Sequence, residues 1–168
     1  MDTPELQTVK KFVRIGPFSK WIHLPEFPTG IKALWDFYRD ESAMEGLAKR
    51  IDLLSVEPIL GHDSLDEYKP LFEFLCRSGI QRRPLSRISH AEWKMWVSRL
   101  LGRNVWIFEA KCEGGSLFDA VGQVLVKREL FKQDYPDTNI VGSGVICERS
   151  DELIEHACSK FGVKIFKI

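Results

Sequence analysis

Glu109 and Lys111 stand two residues apart at the end of the apolar run VWIF, in the segment NVWIFEAK (104–111). Alternation along a strand would put both side chains on one face. Burying a carboxylate and an ammonium at that place is costly unless they pair or meet a ligand. One reading is an ordinary salt bridge at a strand end. The other is a divalent cation: magnesium takes hard oxygen donors, binding through one or two carboxylates while keeping several waters. A lysine beside such an ion can orient or deprotonate water and offset charge developing on a phosphate.

The elements around this pair are legible in the last 65 residues. NVWIFEAK is a predicted strand, followed after Gly114–Gly115 by a helix from Ser116 to about Gln133 that bears Gln123. IVGSGVIC (140–147) follows as a buried strand, then a helix in DELIEHACSKF capped by Ser150 and closed by Gly162, then the strand VKIFKI. Strand, helix, strand, helix, strand implies right-handed crossovers and a sheet that is parallel at least in part. Upstream, KFVRIGPFSKWIHL (11–24) suggests two short strands around Gly16–Pro17, with Pro25 and Pro28 marking a connector. Thr29 can cap a helix bearing Ile31, Leu34, Trp35 and Tyr38, and Ser42 with Glu45 has the spacing of a capping box. RIDLLSVEP (50–58) has the pattern of a strand stopped by Pro58. The stretch 59–103 has helical spacing, notably Trp93, Trp96, Val97, Leu100 and Leu101 after a Ser89–Glu92 capping box, an aromatic stripe expected to face the core.

The chain has 168 residues, 44% hydrophobic and 29% charged, which suits one ordinary folded domain and excludes disorder, collagen and a coiled-coil rod. No apolar run reaches the length of a membrane span and MDTPELQTVKK has no apolar leader, so a cytoplasmic protein is expected. Lys plus Arg and Asp plus Glu both number 24, but residues 36–73 carry a net of −6 and residues 74–103 a net of +6. Such a division can make one acidic and one basic surface. The cysteines, at 76, 112, 147 and 158, form no CxxC pair, so buried reduced thiols are expected rather than a zinc or iron–sulfur site. There is no GxSxG and no phosphate-binding glycine loop.

The stretch VWIFEAKCEGGSLFDAVGQVLVKRELF, continued through GVIC and ACSKFGVKIF, resembles the PD-(D/E)xK, or restriction-endonuclease-like, nuclease superfamily. The resemblance implies an α/β fold with a mixed sheet flanked by helices in a single domain over 1–168. It would comprise an N-terminal β segment (1–28), a helical insertion (59–103) before the ExK strand, and a core over 104–168. It implies that Glu109 holds magnesium or manganese, that the carbonyl of Ala110 is a further contact, and that Lys111 helps activate water. The family requires an upstream acid on an adjacent strand. Asp52 is the first choice, Asp63 a second candidate, and Glu45 or Glu41 would supply an acid from the first helix. Members resembling RecB carry QxxxY on the next helix; here Gln123 matches and position 127 is Lys in place of Tyr. Gln123 would order the site, and Lys127, one turn along, would meet a phosphate; the alternative is a solvent-exposed Gln and Lys.

On this reading Arg82, Arg83 and Arg87 grip the DNA backbone, each contact steepening the salt dependence of duplex binding by about 0.9 in log–log slope. The implied protein is a metal-dependent deoxyribonuclease, and the same resemblance implies a homodimer. Two other classes stay open: a catalytically silent nucleic-acid-binding module of the same fold, and a protein-interaction subunit that docks a partner on its charged segments.

Overall fold

A computed structural model describes residues 4–32, 49–66, 90–112 and 116–168. These form helix α1 (Pro4–Ile15), strands β1 (Ile22–Thr29) and β2 (Lys49–Val56), helix α2 (His90–Leu100), strand β3 (Asn104–Lys111), helix α3 (Leu117–Asp134), strand β4 (Asn139–Cys147), helix α4 (Glu152–Lys160) and strand β5 (Val163–Lys167). The five strands make one open mixed sheet in chain order. β2 runs antiparallel to both β1 and β3, and β4 and β5 continue parallel to β3. The chain is therefore an α/β protein with helices on both faces of a mixed sheet. Among the described residues no helix is long and apolar enough to cross a membrane.

Alternation along β3 divides the core. Val105 and Ile107 join Val124 and Phe131 of α3, Cys158 of α4 and the partly buried Trp93, Trp96 and Val97 of α2. Trp106, Phe108 and Ala110 turn the other way, onto Val9 and Phe12 of α1. Phe12, Phe18, Phe108 and Phe166 pack there with ring centroids 5.0 to 5.9 Å apart. The small residues of β4 make this packing possible: a Cβ on Gly142 would lie 2.3 Å from the Trp106 ring. The aromatic stripe of α2 faces the core as expected, although Leu101 lies beyond the helix and is exposed.

The N-terminal segment departs from its expected form. Residues 4–15 are a helix and the first strand starts only at Ile22. Leu6, Val9, Phe12 and Val13 recur at helical spacing and lie in or against the core, a period hidden when the segment is read from residue 11. Pro25 and Pro28 lie within β1, tolerated because β1 is at an edge of the sheet. The cap of the helical turn at Ile31 comes from far away in sequence. Asp134, at the end of α3, accepts the backbone N–H groups of Gly30, Ile31 and Lys32 at 2.6, 3.1 and 2.8 Å. At α4 the cap is Asp151, whose carboxylate accepts Ile154 N–H at 2.8 Å, while Ser150 bonds Glu155.

The 59–103 block contains α2, and residues 59–66 form turns rather than helix. The helical segment expected around Leu71, Phe72 and Leu75, and the helix expected to carry Glu41 and Glu45, lie outside the described residues. Cys112 is half-buried, Cys147 and Cys158 are buried, and all three are free thiols.

Candidate active site

β2 and β3 pair from Val56↔Val105 to Leu53↔Phe108 and then part, while β2 stays paired with β1 down to Lys49↔Thr29. The fork leaves the Ala110 N–H without a β2 backbone partner, and the Asp52 carboxylate takes it at 2.8 Å. N–H and C=O of one residue in an extended strand point to the same side, so the Ala110 carbonyl also faces the fork. Asp52 shares a sheet face with Leu54 and Val56, and Glu109 with Val105 and Ile107. Both faces look toward α3.

Helix α3 lies over the fork. Ser116 caps it, accepting Asp119 N–H at 3.2 Å. Its buried stripe runs through Ala120, Val124, Lys127, Phe131 and Asp134. This spacing drives a lysine into the core side of the helix, where its Nζ donates to both Glu109 oxygens at 2.7 and 2.6 Å. Lys127 is thus withdrawn from solvent, a correction to the exposed reading, and its ammonium is engaged by Glu109. Gln123, one turn earlier, is exposed, as the alternative expected of it, and lines a cavity that opens onto the fork. Lys111 is half-buried on the Glu109 face and makes no ion pair among the described residues; its charge still favours the ionised form of both acids.

The two carboxylates line one cavity and each shifts the other. Burial pushes the Asp52 carboxyl up, opposed by the Lys127 ammonium, the Ala110 N–H and Lys111. Burial and then the Asp52 charge push Glu109 up to about 7, with Lys127 again the main opposing group. A half-buried and a buried acid held against one close ammonium form a place of excess negative charge that a further cation would relieve.

Of the other expected residues, Asp63 does not reach the site. β2 and β3 are antiparallel, so the segment after Val56 lies beside Asn104, at the opposite end of β3 from Glu109. There Asp63 pairs with Arg103 at 2.7 Å, which also removes Arg103 from any basic surface. Glu45, Glu41, Arg82, Arg83 and Arg87 lie outside the described residues.

A cavity of about 780 Å³ opens onto the fork, lined by Asp52, Glu109 and Lys127 together with residues not anticipated from the sequence, among them Glu26, Arg50 and Phe118. Glu26 stands opposite Asp52 in the β1–β2 register, between the pairs Pro25↔Leu53 and Phe27↔Ile51, with a backbone φ of 53° and Arg50 at 3.9 Å. A non-glycine residue in this region is uncommon and collects at functional places. Its position between two prolines had marked it as part of a connector.

Set against protein-family models, curated proteins and solved structures, the chain finds no match in any of the three.

Proposed function

We propose that this protein is a metal-dependent nuclease of PD-(D/E)xK type, hydrolysing phosphodiester bonds in DNA on a restriction-endonuclease-like sheet. The observation that carries the reading is the meeting of Asp52 and Glu109 at the fork of two adjacent strands, 57 residues apart in sequence. Among the described residues no three His, Cys, Asp or Glu side chains cluster as a metal cage. Two carboxylates and a backbone carbonyl remain, a donor set that suits magnesium or manganese, which complete their shell with water and substrate. Asp52, Glu109 and the Ala110 carbonyl would hold the ion. When bound, it would supply Lewis-acid stabilisation of a phosphoryl oxygen and lower the pKa of water.

The protein's own groups divide the remaining work. The Ala110 N–H fixes the Asp52 carboxylate in the fork. Lys127 holds Glu109 in place through both oxygens and balances its charge before substrate enters. Lys111, on the same strand face and without an ion-pair partner among the described residues, is the lysine left to orient water or meet charge on the phosphate. Gln123 lines the approach from α3.

The grip of Lys127 on Glu109 favours a second reading. An acid already neutralised by an internal ammonium is what a silent DNA-binding module of the same fold would carry. Cleavage of labelled single-stranded, duplex and four-way-junction DNA with magnesium or manganese separates the two. The nuclease reading expects cutting that EDTA and Glu109→Gln both abolish. Salt-sensitive DNA binding without cutting, by the folded wild type, would establish the silent module instead.

A further inference from the structure

Helix α3 presents two adjacent rows to the cavity. Asp119, Gln123 and Lys127 form one, leading to Glu109; Phe118, Gly122 and Val126 form the other, at the same i, i+4, i+8 spacing. The second row is apolar and open: Phe118 is 72% and Val126 58% exposed, although both line a cavity. Gly122 lies in the middle of an 18-residue helix, where glycine is less favourable than alanine. Neither backbone nor packing requires it, because its φ is not in the left-handed region and a Cβ there would meet no atom within 4 Å. The helix therefore keeps a shallow, flat space between a ring and a branched apolar side chain, next to the carboxylates. Lys49 lines the same cavity from β2, beside Arg50 and its partner Glu26, and offers positive charge to a phosphate chain.

We infer that this row is a platform for one nucleobase, with Phe118 stacking on its face and Gly122 leaving room for its plane. The inference rests on the nuclease reading and narrows its substrate. In a duplex both faces of a base are covered by its neighbours, so a platform of this kind takes an unpaired nucleotide, in single-stranded DNA or at a frayed end. An apolar protein segment would use the exposed row but would have no use for Lys49 or for a cation between Asp52 and Glu109, so a polynucleotide is the occupant that both walls fit.

The test is fluorescence anisotropy of labelled single-stranded and duplex oligonucleotides with calcium as the only divalent ion, a gel confirming that the probes stay intact. Wild type is expected to favour the single strand. Phe118→Ala and Gly122→Leu each weaken single-strand binding about tenfold and leave duplex binding unchanged, while Phe118→Trp retains affinity. A fluorescent adenine analogue in the single strand is quenched on binding to wild type and not to Phe118→Ala. Thermal melts of each variant show that the fold is kept, as the exposure of Phe118 and the open space at Gly122 lead one to expect. Equal binding of the two DNA forms, unmoved by Phe118→Ala and Gly122→Leu, overturns the platform and leaves the nuclease reading standing. Failure of the folded wild type to bind or cut any DNA overturns both.

Discussion

Two acidic sites lie at opposite ends of the β2–β3 pair, and their electrostatics run in opposite directions. At one end Asp63 receives Arg103 on both oxygens at 3.0 and 2.7 Å and the backbone N–H groups of Ile59 and Leu65 at 2.8 and 2.9 Å. Arg103 in turn donates to the Glu57 carbonyl at 2.7 Å. Burial pushes Asp63 up, but these donors outweigh it and hold the carboxyl down at about 2. At the other end Asp52 and Glu109 crowd together with one close ammonium, and both carboxyls are pushed up. A buried charge used for structure is matched donor for acceptor. The fork keeps a mismatch, which the fold tolerates and a cation would relieve.

The largest expected effect comes from removing one acid of the mismatched end. Asp52→Asn should lower metal-dependent DNA cleavage at least about a hundredfold, since charge stabilisation by a bound ion is worth several kcal/mol; single-turnover cleavage with manganese measures it. Arg103→Ala should leave cleavage per folded molecule unchanged but cost about 3–5 kcal/mol of stability in urea titrations, because it strands a buried carboxylate. Equal loss of activity in the two variants would erase the contrast.

Asp63 also sets an acid limit. Its folded pKa lies below the model-peptide value of 3.8, so its contribution is complete above that pH and disappears as pH falls toward about 2. Urea midpoints of wild type should drop across that interval, and Asp63→Asn should flatten the drop. The smallest effect is the most diagnostic in sign. Asp52→Asn at pH 7 in EDTA should match wild-type stability or exceed it by up to about 1 kcal/mol, since an amide oxygen still accepts the Ala110 N–H while the carboxylate repulsion is gone. A clear loss of stability would make Asp52 a structural acid like Asp63.

The second half of the fold was legible because each element carries its own period: the apolar run of NVWIFEAK, the helical spacing of Leu117, Val121, Val124, Leu125 and Phe131, and the helix in DELIEHACSKF, although its cap is Asp151 rather than Ser150. Asp52 was the first choice as partner of Glu109 only through the resemblance, which requires an acid on an adjacent strand; the strand in RIDLLSVEP and the ExK end are local signals, but their pairing is not. Lys127 was misplaced although its signal was present. It lies three residues after Val124 and four before Phe131, so the helical period puts it on the buried stripe with them. No local pattern announces the Asp63–Arg103 pair or the Asp134 cap, which join residues 40 and more than 100 apart through tertiary structure alone. Helix α1 was missed because strand-like apolar residues outweighed a period that starts at Leu6.

The central claim is that the fork is a cation site and the far end is not. Calorimetric titration of manganese into metal-free wild type, Asp52→Asn and Asp63→Asn tests it most directly. Wild type and Asp63→Asn are expected to bind saturably, and a folded Asp52→Asn is expected not to. No binding by folded wild type, or binding that Asp52→Asn leaves intact, would contradict it.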